Sequence, residues 1–152
     1  MRKLLSIFLI AVISIAIIFV PNVTAREYLG NGGFESGMNN WIKNGCAGVE
    51  ENIKKSGNAS LMIKSETESG YFVQTVSGVS GGDILKFITA LRIENLVLDG
   101  RAVVKFEFWH STNGYIGDLV KTYTEVSRGK WQNISFDFEV PEGSDRVKVM
   151  LR

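Results

Sequence analysis

From Arg26 onward the chain has no stretch in which apolar residues recur at the period of a helix. Its hydrophobic runs are short, alternate with polar residues, and are parted by Gly, Asn, Asp and Ser. That pattern specifies an all-β antiparallel sandwich. Strands are expected over 60–63, 71–76, 84–93, 102–110, 120–124, 134–140 and 147–151. Asn113-Gly114 stands between two such runs and predicts a hairpin turn, because both residues tolerate positive φ. Asp99-Gly100 and Glu142-Gly143 punctuate in the same way. A domain of about 125 residues buries an adequate core, and no internal repeat or low-complexity linker divides it.

The N-terminus is of another kind. Met1-Arg2-Lys3 is basic, residues 4–20 are apolar apart from Ser6 and Ser14, Pro21 stops any helix, and Val23-Thr24-Ala25 offers small residues. These are the parts of a secretory signal peptide, with cleavage expected after Ala25, so that residues 1–25 are removed. An uncleaved membrane anchor is the alternative, since the apolar run is near the lower limit for spanning a bilayer. Either way residues 26–152 are expected outside the cytoplasm, secreted or at the cell surface. Cys46 is the only cysteine, which precludes an intramolecular disulfide, and it reads as a small buried hydrophobe. The net charge is +1, and losing Arg2 and Lys3 turns it slightly negative. The remaining basic residues form no stripe, which argues against a nucleic-acid partner.

Alternation assigns faces. In 102–110, Ala102, Val104, Phe106 and Phe108 face the core, while Val103, Lys105, Glu107 and Trp109 face outward. Trp109 on a polar face is either a stacking platform for a ligand or a cover for the sheet edge. In 84–93, Leu85, Phe87, Thr89, Leu91 and Ile93 form the apolar face, and Lys86, Ile88, Ala90 and Arg92 the other. Arg92 offers a rigid fork of donors for hydroxyls, or a salt bridge to Glu94 or Glu107. Tyr115 is expected as an exposed aromatic in the loop after the hairpin turn, where binding residues concentrate. Asn133 and Ser135 face outward, so the sequon Asn133-Ile134-Ser135 is accessible; Asn58-Ala59-Ser60 is a second sequon.

A series of short motifs adds to this pattern. Asn31-Gly32-Gly33-Phe34-Glu35 is followed by Trp41, then Ser56-Gly57-Asn58-Ala59-Ser60-Leu61, Gln74-Thr75-Val76 and Gly81-Gly82. Gly129-Lys130-Trp131, a phenylalanine-rich strand and Val140-Pro141-Glu142-Gly143 come last. In this order and spacing the series resembles the CenC-type carbohydrate-binding modules of families 4, 9 and 22. These are galactose-binding-like jelly-roll sandwiches. The resemblance covers nearly all of the chain after residue 27.

The resemblance implies a polysaccharide partner and a Gln at position 74 that bonds either ligand or buried backbone. It implies that Trp131 packs in the core, and that Trp41 plugs one end of the sandwich, with sugar binding as its alternative role. It also implies one structural calcium, held by Glu35 and by carbonyls near Ser56 and Ser60. Family members usually run on to a further strand with an Asp-Asp pair. This chain is therefore expected to lack that last strand: either it is a fragment of a longer protein, covalently linked to a downstream domain, or the closing strand is absent and leaves an unpaired edge.

Nothing assembles an enzyme. His110 is the only histidine and reads as a residue capping the core at a strand end, and no carboxylate pair is marked out. Three readings of function stand at this point. One is a secreted non-catalytic module binding a β-glucan or xylan by stacking and hydrogen bonds. The others are a structural sandwich of a surface or adhesion protein, and the N-terminal module of a larger glycoside hydrolase.

Overall fold

The computed structural model describes residues 26–63, 70–94, 100–125 and 129–152. The segment 1–25, expected as a signal peptide, and the Asp99 of the Asp99-Gly100 turn lie outside the described residues. Among the described residues nine strands form: β1 (Ile42–Asn44), β2 (Ala47–Glu50), β3 (Ser60–Ile63), β4 (Tyr71–Ser77), β5 (Ile84–Leu91), β6 (Ala102–His110), β7 (Gly114–Tyr123), β8 (Gln132–Glu139) and β9 (Arg146–Leu151). One layer is a five-stranded antiparallel sheet in the order β1-β4-β9-β6-β7. The other consists of two antiparallel ladders, β2–β3 and β5–β8.

The core follows from the alternation. Val104, Phe106 and Phe108 of β6, Val147 and Val149 of β9 and Val76 of β4 pack against Phe87 of β5, with Phe136 and Phe138 of β8 beside them. Phe106 is the centre. It is 1 % exposed, and its ring centroid lies 5.2 Å from Phe87, 5.9 Å from Phe136 and 4.5 Å from Phe138. A second cluster, Phe34, Trp41, Ala47 and Phe72, joins the N-terminal loop and the β2–β3 ladder to the end of β4.

Several expectations are corrected. β1 and β2 escape a pattern reading because three and four residues are too short to show alternation, and β1 is exposed throughout. β7 starts at Gly114, six residues before the expected strand, because pairing along β6 overrides the poor strand propensity of Gly and Asp. Of the two hairpin residues, Gly114 alone has positive φ, at +81°. Cys46 is half-buried rather than buried.

β9 is central: it pairs with β4 on one side and β6 on the other, and Arg152 exchanges backbone hydrogen bonds with Val103. In the second layer, β3 pairs with β2 and β5 with β8 among the described residues. Ser60 and Leu61 of β3 and Thr89 to Leu91 of β5 line a common cleft of about 220 Å³.

Phe106→Ala should lower the free energy of unfolding by about 3–5 kcal/mol, as expected for a large aromatic removed from a packed core. Urea denaturation monitored by tryptophan fluorescence checks this.

Candidate functional site

The outward face of the five-stranded sheet gathers the chemistry. β6 sends Lys105, Glu107 and Trp109 outward. Register sets Val120, Asp118 and Tyr115 of β7 opposite these three on one side, and Met150, Lys148 and Arg146 of β9 on the other. A bulge between Phe108 and Trp109 shifts the register with β7, so Trp109 faces Tyr115. The two rings meet edge-on with centroids 5.5 Å apart. Tyr115 is therefore a strand residue, not a loop tip, although it remains 51 % exposed.

Polar groups hold this aromatic pair. The Trp109 indole N–H donates to Glu107 Oε2 at 3.3 Å. Lys105 Nζ donates to Glu107 Oε1 at 2.8 Å and lies 3.1 Å from Asp118 Oδ2. Hydrogen bonds to Glu107 and then Asp118 raise the Lys105 ammonium above its usual range. Lys105 first, and Tyr115 second, lower the Asp118 carboxyl. Burial first, and Asp118 second, raise the Tyr115 phenol. Lys148 Nζ sits 4.2 Å from the centre of the Trp109 ring, a cation–π contact.

The other binding candidates lie elsewhere. Gln74 shares the core face with Phe72 and Val76, and both ends of its amide are used on one residue. Gly30 N donates to its Oε1 at 2.7 Å, and its Nε2 donates to Gly30 O at 2.8 Å. Arg92, just past β5 in the other layer, is ion-paired with Glu94. Trp41 is 7 % exposed, stacks at 5.3 Å on Phe34, and donates its indole N–H to Asn31 O at 3.2 Å. The structure thus brings Trp109 and Tyr115 together and leaves Gln74, Arg92 and Trp41 apart from them.

Sequence reasoning missed Lys148 and Asp118. Alternation places Lys148 outward on β9, but only the β6–β9 pairing reveals that it neighbours Trp109. It also missed Asn31, whose side chain bonds the carbonyls of Gly37 and Asn39 and the N–H of Ser36, and so shapes the loop that carries Phe34 and Trp41.

The metal candidates border the cleft between β3 and β5, where Trp131 also lies. Trp131 is half-buried there, not a core residue. Both oxygens of Glu35 accept the N–H of Asn58, at 3.0 and 2.9 Å. Gly57 has φ +67°, and a Cβ there would collide with the Glu35 carboxylate. Ser60 Oγ donates to Ile53 O, and Lys54 Nζ donates to the carbonyls of Glu51 and Asn58. Calcium takes six to eight oxygens. Among the described residues no three His, Cys, Asp or Glu side chains gather, and an ammonium already holds two loop carbonyls. A calcium ion held by Glu35 and the carbonyls near Ser56 and Ser60 would compete with Lys54 for the carbonyl of Asn58.

The profile of the family CBM_4_9, Carbohydrate binding domain, matches residues 26–152. The chain belongs to this family. No curated protein matches the sequence. Among solved structures, the carbohydrate-binding module TmCBM61 in complex with β-1,4-galactotriose shares 17 % identity at a TM-score of 0.59, covering 84 % of this chain and 86 % of its own. The CBM22-1–GH10 part of Clostridium thermocellum xylanase 10B, complexed with xylohexaose, shares 15 % identity at 0.55, covering 78 % of this chain. The enzymatically active domain of bacteriophage CBA120 tailspike protein 4 shares 15 % at 0.62, covering 82 %. The chain spans 24 % and 18 % of those two longer proteins. At these identities the likeness shows the fold, the jelly-roll β-sandwich of such modules.

Two tests follow from the geometry of this module. Asp145 Oδ2 accepts the N–H of Ser111 at 2.8 Å, beside the hairpin that carries Trp109 and Tyr115. The hydroxyl and N–H of Ser111, with Arg146, hold its carboxyl at about 2 instead of 3.8. A carboxyl lowered in the folded state stabilises fully above its unfolded value and ceases to do so as pH falls through the folded one. Stability should therefore drop between about pH 4 and pH 2, and Asp145→Asn should flatten that part of the profile, read by urea melts across pH. Separately, thermal melts in excess calcium and in chelator should nearly coincide, and a clear rise with calcium that Glu35→Gln abolishes would place the ion at Glu35.

Proposed function

We propose that this chain is a secreted, non-catalytic module that holds polysaccharide on the outward face of its five-stranded sheet. The carrying observation is the Trp109–Tyr115 pair rimmed by Lys105, Glu107 and Asp118. A pyranose lays its C–H face on an aromatic ring and offers hydroxyls around its rim. Ammonium, carboxylate and phenol groups at hydrogen-bonding height beside the rings meet those hydroxyls. Family membership supports a sugar ligand. The ligand class proposed is a β-linked glucan or xylan, supported by the xylohexaose with which one structural neighbour is complexed. Binding is weak, because two aromatics do not make a long stacking row.

Secretion is proposed from the basic and apolar N-terminal segment. Linkage to a glycoside hydrolase is proposed from the xylanase neighbour, in which a module of this fold adjoins a GH10 module. A structural role without sugar binding is the second reading, favoured by Lys148 lying over the Trp109 ring.

Affinity electrophoresis in gels containing soluble β-glucan, xylan or galactan tests the proposal. Retardation in at least one gel is expected, and Trp109→Ala should abolish it while leaving the thermal midpoint within a few degrees. No retardation in any gel would favour the structural role. Unfolding of Trp109→Ala would show that the indole serves the fold.

A further inference from the structure

Three cations line the outward face around Trp109, and they are not equivalent. Lys105 lies between Glu107 and Asp118, at 2.8 and 3.1 Å. Arg146 Nε is 3.1 Å from Asp145 Oδ1. Lys148, between them in the register, makes no ion pair among the described residues; its ammonium rests on the Trp109 ring at 4.2 Å. It is half-buried, so part of its hydration is already lost. The carboxylates nearby are committed: Glu107 to Lys105 and the indole N–H, Asp118 to Lys105, Asp145 to Ser111 and Arg146.

This arrangement discriminates among sugars. A neutral pyranose that stacks on the ring face carrying Lys148 must displace the ammonium, and its hydroxyls repay a charged donor poorly. A sugar bearing a carboxylate accepts the displaced ammonium in a charge-assisted hydrogen bond while its ring takes the indole face. Resting on the sugar-binding reading of this face, we propose that the preferred ligand is a uronate-bearing polysaccharide, with Lys148 Nζ as the group that recognises its carboxylate.

The test uses two polymers that differ only in charge: a glucuronoxylan, and the same polymer after reduction of its carboxyls to primary alcohols. Affinity electrophoresis and titration calorimetry should give about tenfold tighter binding to the acidic form at low salt, a ratio that shrinks as salt is added. Lys148→Gln should bring that ratio close to one, and Lys148→Arg should preserve it, with unchanged thermal midpoints showing that both variants fold. Equal binding of the two polymers by the native protein, or a ratio that survives Lys148→Gln, overturns the uronate assignment and leaves sugar binding standing. Binding to neither polymer, nor to any neutral glycan, overturns both.

Discussion

The pairing of β6 with β9 is the constraint on which the rest of the molecule depends. Its register sets Phe106 opposite Val149 and Phe108 opposite Val147 on the inward face. The same register sets Glu107 opposite Lys148 and Trp109 opposite Arg146 on the outward face. Side chains alternate with a period of two, so a slip by one residue would expel the phenylalanines and bury two charges and an indole. Core and candidate site are thus two faces of one hydrogen-bonded ladder. The cost of burying Lys105, Glu107 or Lys148 protects the site's geometry as firmly as aromatic packing protects the core.

Away from that ladder, single polar side chains replace covalent staples. The chain has one cysteine, so its long N-terminal loop is held without an intramolecular disulfide. Gln74 does this from inside, satisfying the N–H and C=O of Gly30 at once and joining residue 30 to the middle of β4. Asn31 does it from the loop, binding the backbone at three points, while its own carbonyl receives the Trp41 indole. Glu35 ties the loop to Asn58. An apolar isostere of Gln74 would leave the part-buried N–H and C=O of Gly30 unpaired, which is costlier than loss of an average hydrogen bond. The motif Asn31 to Glu35 therefore has a structural explanation that needs no ligand.

The inward faces were legible because they obey a local rule. Phe106, Phe108, Phe136 and Val149 alternate along the chain, and alternation within one strand names a face without knowledge of its neighbours. Trp109 was placed outward on the same grounds. What the sequence did not disclose depends on strands far apart in the chain. Lys148 neighbours Trp109 only because β9 inserts between β4 and β6, and Tyr115 meets Trp109 only through the bulge. Gln74 was legible as a choice between ligand and backbone; the partner that decides it, Gly30, is 44 residues away. The very short β1 and β2 carry too few residues for any period to show.

Trp109 also shows how one side chain can be both held and available. Its N–H is satisfied by Glu107, its edge meets Tyr115, and Lys148 lies over the ring. Three contacts fix the indole before any ligand arrives, which lowers the entropy lost on binding. The same contacts occupy surface that a sugar would use. Glu107 and Tyr115 meet the rim of the ring, whereas the ammonium covers one of its faces. On the reading proposed above, whether this face takes a given glycan depends less on the aromatic area it exposes than on what that glycan offers Lys148 in exchange for the ring.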